Sequence, residues 1–213
     1  MKRPSARGAE TRLRILRTAA DLFHKQGVRA TSPDDIIEAS RTGKGQFYHY
    51  FKGKEDLIHE VLQVYLKEIE SNTAPLSYEI TSLDDMERWF QANIDLQKRF
   101  DMTRGCPFGT IGNEVTNGDE LIRQDLSLIF EVMKSRIVAF LVREKAAGRL
   151  VEDAREQAIA DYCIALIQGA MLMGKIKRDA NVAEAAIGEA MAHLRRYSAR
   201  ASPMPARPRR SSP

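Results

Sequence analysis

The side chains best suited to chemistry lie close together, in the segment GKGQFYHYFKGK at residues 43–54. Lysine can donate hydrogen bonds to guanine O6 and N7, and glutamine can pair with adenine through two hydrogen bonds. Tyrosine and histidine side chains suit phosphate oxygens. This mixture of cationic, amide and aromatic side chains therefore predicts contacts with a nucleic acid.

The same segment contains residues that would hold it to a protein core. On a helix that begins near Lys44, Phe47 and Phe51 are four residues apart and share one side. We expect that side to be buried. The other residues project elsewhere, either toward a nucleic acid or into solvent as an ordinary helix surface: Lys44, Gln46, Tyr48, His49 and Tyr50.

Two helices are predicted before this segment. Apolar residues at helical spacing, followed by Gly27, predict a first helix at about 10–26. The stretch SPDD at residues 32–35 then supplies a capping residue, a proline at the first helical position and two acids near the positive end of the helix dipole. These signals predict a short second helix at about 33–40.

A sharp corner joins the second helix to the chemically suited segment. Only residues 41–43 separate the second helix from a third helix at about 44–50. Two short helices joined in this way, with another helix packed across them, place one helix in a DNA major groove. The sequence therefore predicts a helix-turn-helix at about 33–51.

Charge is distributed unevenly along the chain. Residues 1–54 contain 12 Lys and Arg against 5 Asp and Glu, which gives +7, and residues 195–213 contain six Arg and no acid, which gives +6. The net charge is +4, so the remaining residues carry 4 − 7 − 6 = −9. Basic ends on an acidic body favour a polyanionic partner at the ends, whether DNA, RNA or an anionic membrane surface.

The rest of the chain repeats helical patterns, so the predicted fold class is all-α with about nine helices. After a fourth helix that reaches about residue 71, helices are predicted at about 83–101, 106–116, 119–146, 154–178 and 180–198. We expect a DNA-binding domain at 9–69 and a second helical domain at 75–198. Residues 199–213 are expected to form a disordered basic tail, which is either inert or an additional non-specific DNA clamp.

Several classes of protein lack support in the sequence. The longest uninterrupted apolar runs have six residues, so no transmembrane helix and a cytoplasmic location are expected. The histidines are scattered, and Cys106 and Cys163 have no metal or redox spacing, so no metal and no cofactor are predicted. No catalytic grouping is readable, which argues against an enzyme.

The N-terminal pattern resembles the tetracycline-repressor (TetR) family of bacterial transcriptional regulators. The match covers residues 9–60 and includes IL at 15–16, AA at 19–20, LF at 22–23, Gly27 and the run GQFYHYFKGKEDL at 45–57, which is the specific part. The resemblance implies a homodimer and a C-terminal ligand domain. It also implies operator contacts by Lys44, Gln46, His49 and Tyr50, phosphate contacts by Thr31 and Tyr48, and a grip on the DNA backbone by Lys54.

The chain departs from the family pattern at the corner. Where the family usually has Gly-Val-Ser, this sequence has Arg41-Thr42-Gly43. We expect Thr42 to cap the third helix in place of the serine, and Arg41 to be an added phosphate contact. The predicted DNA-binding set is thus Thr31, Ser32, Arg41, Thr42, Lys44, Gln46, Tyr48, His49, Tyr50 and Lys54.

The C-terminal helices contain candidates for a small-molecule pocket and for a dimer interface. The pocket candidates mix aromatic, soft and hydrogen-bonding groups and are otherwise plain core: Trp89, Phe90, Met102, Cys106, Phe108, Asn113, Phe130, Tyr162, Gln168 and Met171. The predicted homodimer interface uses the last two helices and contains Ala165, Gly169, Ala170, Gly174, Ala186, Ala190 and Leu194.

Together these features predict a ligand-responsive transcriptional regulator, a repressor that binds a palindromic double-stranded DNA operator as a dimer and is released by a small-molecule effector. Two alternatives stay open. In one, the N-terminal bundle is only structural and the chain is a helical small-molecule carrier or an enzyme. In the other, the protein is a transcriptional activator or a constitutive DNA-binding protein.

Overall fold

The computed structural model describes residues 6–198, and the predicted basic tail at 199–213 lies outside the described residues. Over the described range the chain forms nine α-helices and no β-strand, which confirms the predicted all-α class; Leu150 and Ser198 form an isolated antiparallel bridge. The helices are α1 (Ala6–Gln26), α2 (Pro33–Ala39), α3 (Lys44–Tyr50), α4 (Lys54–Glu70), α5 (Leu83–Lys98), α6 (Pro107–Gly112), α7 (Glu120–Ala146), α8 (Glu156–Lys177) and α9 (Ala180–Arg195).

The predicted helix boundaries differ most from those observed at the start of α1, which begins at Ala6 rather than near residue 10, at the end of α9, which is Arg195 rather than about 198, and around α5 and α6. The differences at α5 and α6 have a local cause. Helix α5 ends at Lys98 rather than near residue 101 because Asp101 and Met102 have left-handed backbone angles, with φ of 50° and 55°. Helix α6 has only six residues, and it begins with Pro107 at its first helical position. Both differences lie in the connection that leads from α5 to the cavities described below.

The N-terminal helices pack around buried aromatic and aliphatic side chains. Phe23 of α1, Ile36 of α2, Phe47 of α3 and Leu57 of α4 are each fully buried, and Phe51 is 1% exposed. Burial of a side chain of this kind stabilises the fold by about 1.5–3 kcal/mol. The prediction that Phe47 and Phe51 belong to the core is therefore confirmed, and these two rings fix the short helix α3 to its neighbours.

The C-terminal helices form a bundle in which α8 packs on both α7 and α9, while α5 packs on α9 and α4 on α7. Small residues allow α8 and α9 to approach each other closely within one chain. Four residues predicted for a dimer interface are buried within the chain, so that prediction is wrong for Ala170, Gly174, Ala190 and Leu194.

Helix α8 is more apolar over its whole length than its short uninterrupted apolar runs indicated. It is the one helix of residues 6–198 whose length and composition would allow it to cross a bilayer. One side of α8 is accounted for by its packing within the bundle, where Cys163 and Ile167 are fully buried. The other side exposes Leu172, Met173 and Ile176.

Candidate nucleic-acid interface and cavities

Helix α3 exposes most of its side chains and buries Phe47. Lys44, Gln46 and His49 are exposed, the Tyr48 side chain is 49% exposed, and Tyr50 is half-buried. Phe47 is the buried residue of this seven-residue helix, and its burial fixes the rotation of α3 about the helix axis. The predicted contact residues of α3 thus lie on an accessible surface that a DNA groove could receive.

Two of these side chains have weak partners in the free protein. The Lys44 ammonium lies 3.3 Å from Asp34 Oδ1 in α2, and both side chains are highly exposed. Gln46 Oε1 accepts a hydrogen bond of 3.4 Å from the backbone N–H of Gly43. An exposed ion pair contributes about 0–1 kcal/mol, so DNA groups can replace these partners at little cost.

The corner between α2 and α3 is a Schellman motif. The backbone N–H of Arg41 donates to Glu38 O at 3.0 Å, and the N–H of Thr42 donates to Ile37 O at 3.1 Å. This motif places Arg41 in the left-handed region with φ of 52°, where glycine is usual. The chain therefore keeps an exposed arginine at a position where its backbone conformation costs about 1 kcal/mol.

Thr42 does not cap α3, so that expectation is wrong. Its hydroxyl is hydrogen-bonded to the hydroxyl of Ser40 at 2.8 Å, and Gly43 occupies the capping position without a side-chain hydrogen bond. The reason is geometric, because the Schellman motif ends at Thr42 and leaves the next residue in extended conformation, with φ of −81° and ψ of 150° at Gly43.

Thr31 has an internal role that its assignment as a phosphate contact did not anticipate. Its side chain is fully buried, and its hydroxyl donates to Gly27 O at 2.7 Å. The same hydroxyl accepts a hydrogen bond from Gln26 Nε2 at 3.2 Å. With its hydroxyl buried and both bonds made inside the protein, Thr31 shapes the turn before α2 and is unsuited to bind phosphate.

Ser32 and Lys54 lie at the N-termini of α2 and α4. The Ser32 hydroxyl caps α2, and the Asp35 carboxylate accepts hydrogen bonds of 2.7 Å from both the Ser32 N–H and the Ser32 hydroxyl. These hydrogen bonds lower the pKa of Asp35. Lys54 is the first residue of α4 and is half-exposed, so it adds a cation to the positive end of that helix.

A first concave space, which we call the central cavity, lies between α4, α5, α6 and α8. It has a volume of about 210 Å³. Burial raises the pKa of Tyr65 to about 12 and also raises the pKa of Tyr78, so both hydroxyls remain hydrogen-bond donors. Residues that line it include Tyr65, Glu68, Tyr78, Asn93, Gln97, Phe100, Cys106, Phe108, Met133, Gln168 and Met171.

A second and larger space, which we call the α6–α8 cavity, has a volume of about 490 Å³. Gln168 lines both cavities, and its Nε2 atom is buried without a hydrogen-bond partner among the described residues. Burial raises the pKa of the neighbouring Cys106 thiol. The α6–α8 cavity is lined by Arg104, Gly105, Cys106, Phe108, Gly109, Thr110, Gly112, Asn113, Glu114, Phe130, Gln168, Gly169, Leu172 and Lys175.

The two cavities bring together six of the ten predicted pocket residues: Cys106, Phe108, Asn113, Phe130, Gln168 and Met171. Trp89, Phe90 and Met102 line neither cavity and are core residues; the Met102 side chain reaches the space beside Gly174. Tyr162 lies on the exposed side of α8.

Sequence reasoning missed Tyr65, Tyr78, Arg104 and Lys175 as cavity residues. A signal was available for Lys175, because it follows Gln168 by seven residues and therefore lies on the same face of a helix. The other three lie on elements whose approach to α8 only the tertiary structure specifies.

Glu114, which follows α6, connects the α6–α8 cavity to the DNA-binding helices. Its carboxylate accepts hydrogen bonds from the backbone N–H groups of Val28 at 3.1 Å and Arg29 at 2.5 Å. Gly27 lies directly beneath it with φ of 88°, and a side chain at that position would overlap with Glu114 Oε1. This contact ties the wall of the cavity to the turn that leads into α2.

A second connection joins the turn before α6 to α1. His24 Nε2 is hydrogen-bonded to Gly105 O at 2.7 Å, and Arg104 Nη1 forms a 2.5 Å ion pair with Asp21 Oδ1. Burial lowers the pKa of His24, the hydrogen bond to Gly105 opposes that shift, and the nearby Arg104 adds to it. A displacement of Gly105 in the cavity wall would therefore disturb its hydrogen bond to His24 of α1.

Metal chemistry has no site among residues 6–198, since no group of three or more His, Cys, Asp or Glu side chains could hold an ion there. The closest approach of a histidine to a carboxylate in this part of the bundle is a hydrogen-bonded pair: His59 Nδ1 lies 2.7 Å from Asp125 Oδ2. Asp125 also accepts a hydrogen bond of 2.8 Å from Gln63. This cluster joins α4 to α7 and leaves Asp125 only 7% exposed.

Comparison with known families assigns both parts of the chain. A family described as "Bacterial regulatory proteins, tetR family" matches residues 15–61. A second, described as "Tetracyclin repressor-like, C-terminal domain", matches residues 82–190, which is more than half of the chain.

Individual relatives agree with this assignment. An uncharacterized helix-turn-helix transcriptional regulator from Lactococcus lactis is 31% identical over 183 residues, which cover 82% of this chain and 88% of the relative. The transcriptional repressor DhaR of Mycobacterium sp. strain GP1 is 26% identical over 171 residues, with coverage of 79% and 84%.

Solved structures show the same fold. A TetR-family regulator from Agrobacterium tumefaciens has a TM-score of 0.77 at 24% identity and covers 90% of this chain and 100% of that one. The regulatory protein TetR from Rhodobacter sphaeroides has a TM-score of 0.76 at 22% identity, with coverage of 86% and 98%. The helix-turn-helix and the exposed side chains of α3 agree with the family matches. The chain therefore belongs to the TetR family and is a DNA-binding transcriptional regulator.

Proposed function

We propose that this regulator is a repressor that binds a palindromic DNA operator as a homodimer and is released by a small-molecule effector. The observation that carries the proposal is the division of α3 between a core side, fixed by Phe47, and an accessible polar side. The relative DhaR is named a repressor, which supports this direction of regulation. Such a protein would act in the cytoplasm, where it meets the chromosome.

The operator contacts divide by chemistry. Lys44 and Gln46 suit base edges, because a lysine can donate to guanine and a glutamine can pair with adenine. Tyr48 and Lys54 suit phosphates, which position the helix without reading sequence. His49, Tyr50, Ser32, Arg41 and Thr42 complete the proposed surface, and Thr31 is left out of it because its buried hydroxyl is bonded to Gly27 O.

The homodimer would use the exposed sides of α8 and α9. On α8 these include Met173 and Ile176, which are 41% and 66% exposed, together with Gly169 and Leu172, which are exposed and also line the α6–α8 cavity. On α9 the exposed residues include the small residues Ala185, Gly188 and Ala192, and a side chain added at Gly188 would meet open space. A partner's helices could approach closely there and cover the apolar side of α8.

An effector would act by preferring one of two conformations. If it binds the cavities best when the DNA-binding helices are wrongly spaced for the operator, operator affinity falls in proportion to that preference. The bonds of Glu114 and Gly105 to the turn before α2 and to α1 supply a physical connection between the cavity wall and the helix-turn-helix.

The decisive experiment selects operator sequences from a random double-stranded DNA pool at moderate salt. We expect an enriched palindrome whose half-sites are about one helical turn, or a multiple, apart. With that operator, Gln46→Ala should reduce discrimination at particular base pairs by about 1–3 kcal/mol, whereas Lys54→Ala should weaken all sequences alike and reduce the salt slope by about one unit.

The same measurements can contradict the proposal. Selection that enriches no palindrome would favour a carrier or an enzyme with a merely structural N-terminal bundle. An unchanged salt slope for Lys54→Ala would remove that residue from the interface. If no effector releases the operator, the protein is a constitutive binder rather than an inducible repressor.

A further inference from the structure

The wall that α8 contributes to the α6–α8 cavity has an ordered chemical pattern. Gln168, Leu172 and Lys175 all line the cavity and follow each other at spacings of four and three residues, so they lie along one face of the helix. At 1.5 Å per residue, the first and last are about 10 Å apart along the axis. The face therefore offers an amide, an apolar side chain and a cation in sequence.

The cation at one end of this face is free to bind a ligand. Lys175 forms no salt bridge with any residue of the described range 6–198, whereas Arg104 beside it is paired with Asp21. Lys175 lies over Gly105, since a side chain added to that glycine would come within 3.3 Å of Lys175 Cδ. An unpaired ammonium in a cavity wall favours an anionic group there.

The amide at the other end has an unused donor. Gln168 Nε2 is buried and has no partner with hydrogen-bond geometry among the described residues; the side chain interacts only with the Cys106 thiol, a weak acceptor that a ligand oxygen would replace. Its Oε1 atom lies close to Gly109, whose lack of a side chain leaves room for it. A buried donor without a good acceptor is unfavourable, so a ligand that supplies an acceptor binds more tightly. Between the two ends, Phe108 and Phe130 line the cavity with aromatic rings.

We propose that the α6–α8 cavity binds an elongated aryl carboxylate, with its carboxylate at Lys175, its ring against Phe108 and Phe130, and a carbonyl-type acceptor at Gln168 Nε2. This inference rests on the proposed function, since it names the chemical class of the effector. The cavity volume of about 490 Å³ accommodates a compound of that size. Binding there would reach Gly105, Arg104 and Glu114, three wall residues that are bonded to α1 or to the turn before α2.

The test uses three matched probes and the DNA-free protein. Isothermal titration calorimetry with 4-acetylbenzoate measures binding of the full pattern, 4-acetylbenzamide removes the charge, and 4-ethylbenzoate removes the acceptor. We expect 4-acetylbenzoate to bind about tenfold or more tightly than either analogue, because a hydrogen bond to a charged group and a satisfied buried donor are each worth about one order of magnitude or more.

Three variants assign the binding to the named residues. Lys175→Gln should weaken 4-acetylbenzoate about tenfold or more and leave 4-acetylbenzamide unchanged, and Gln168→Leu should abolish the advantage of 4-acetylbenzoate over 4-ethylbenzoate. Lys177→Gln is the matched control, since Lys177 is an exposed cation of the same helix that does not line the cavity. Thermal unfolding of each variant verifies that it is folded.

Several outcomes would overturn the proposal. They are the absence of 4-acetylbenzoate binding to the folded wild type, equal affinity for the neutral amide, or equal losses in Lys175→Gln and Lys177→Gln. Operator binding by the ligand-free protein is measured separately. A protein that selects a palindrome but binds no carboxylate refutes the cavity assignment alone, and one that binds the carboxylate but no operator refutes the repressor alone.

Discussion

Replacement of Gly27 with Ala should destabilise the protein by an amount that depends on Glu114. The φ of 88° at Gly27 costs an alanine about 1–2 kcal/mol. The new methyl group also overlaps with Glu114 Oε1 and would displace the carboxylate from the N–H groups of Val28 and Arg29. Because Glu114 is half-buried and Arg29 exposed, we assign those two hydrogen bonds about 2 kcal/mol together, at the low end for a charged acceptor.

These magnitudes predict a double-mutant cycle. Gly27→Ala alone should cost about 3–4 kcal/mol and Glu114→Ala alone about 2 kcal/mol. The double variant should also cost about 3–4 kcal/mol, because the carboxylate bonds can be lost only once. The free energies of unfolding come from urea denaturation at a fixed protein concentration, since the proposed dimerisation would make apparent stability depend on concentration.

A second glycine isolates the backbone contribution. Gly148 has φ of 69°, and a side chain added there meets open space, so Gly148→Ala should cost only about 1–2 kcal/mol and show no coupling to Glu114→Ala. If Gly27→Ala and Glu114→Ala prove additive within about 0.5 kcal/mol, the carboxylate does not hold the turn and the proposed connection from the cavity to α2 is wrong.

Three further predictions concern the corner and two titrating groups. Arg41→Gly should raise the unfolding free energy by about 1 kcal/mol in urea denaturation and yet weaken operator binding in a gel shift, with a salt slope about one unit smaller; unchanged binding would show that Arg41 has no DNA contact. Burial lowers the pKa of His24 below its ordinary 6.5, so its contribution to stability is complete above that pH and is lost as pH falls toward the folded-state pKa. His24→Gln should accordingly flatten the melting temperature between about pH 7 and 5 relative to wild type, and parallel curves would contradict this. Hydrogen bonds from Ser32 lower the pKa of Asp35, so its stabilisation is complete above the ordinary value of 3.8 and lost below it; the difference in urea midpoint between wild type and Asp35→Asn should shrink from pH 7 to pH 3, and a constant difference would argue against the cap.

Local signals sufficed to predict the N-terminal helices because their boundaries are encoded within a few residues. Ser32 caps α2, Pro33 is its first residue, and Gly27 ends α1. Each of these residues determines the backbone conformation at its own position, so α2 begins and α1 ends where the sequence predicts. The burial of Phe47 and Phe51 followed in the same way from their spacing of four. The domain boundaries at 9–69 and 75–198 stay predictions.

Features that depend on which helices meet were not available from the sequence. The prediction that Ala190 lies in a dimer interface was wrong because small residues allow close approach within a chain as well as between chains. Thr31 matched a family position, but only the structure shows its hydroxyl bonded to Gly27. The distance in sequence from Glu114 to Val28 likewise gave no sign that their contact joins the cavity wall to the helix-turn-helix.

The arrangement of α3 has a consequence for how such a regulator acquires new operators. With Phe47 alone buried among seven residues, substitutions at Lys44, Gln46, Tyr48 and His49 would leave the core intact. Sequence preference can therefore diverge after gene duplication without a loss of folding, and an engineer can randomise these four positions as a compact library. The fold separates the part of the protein that must be kept from the part that is free to change.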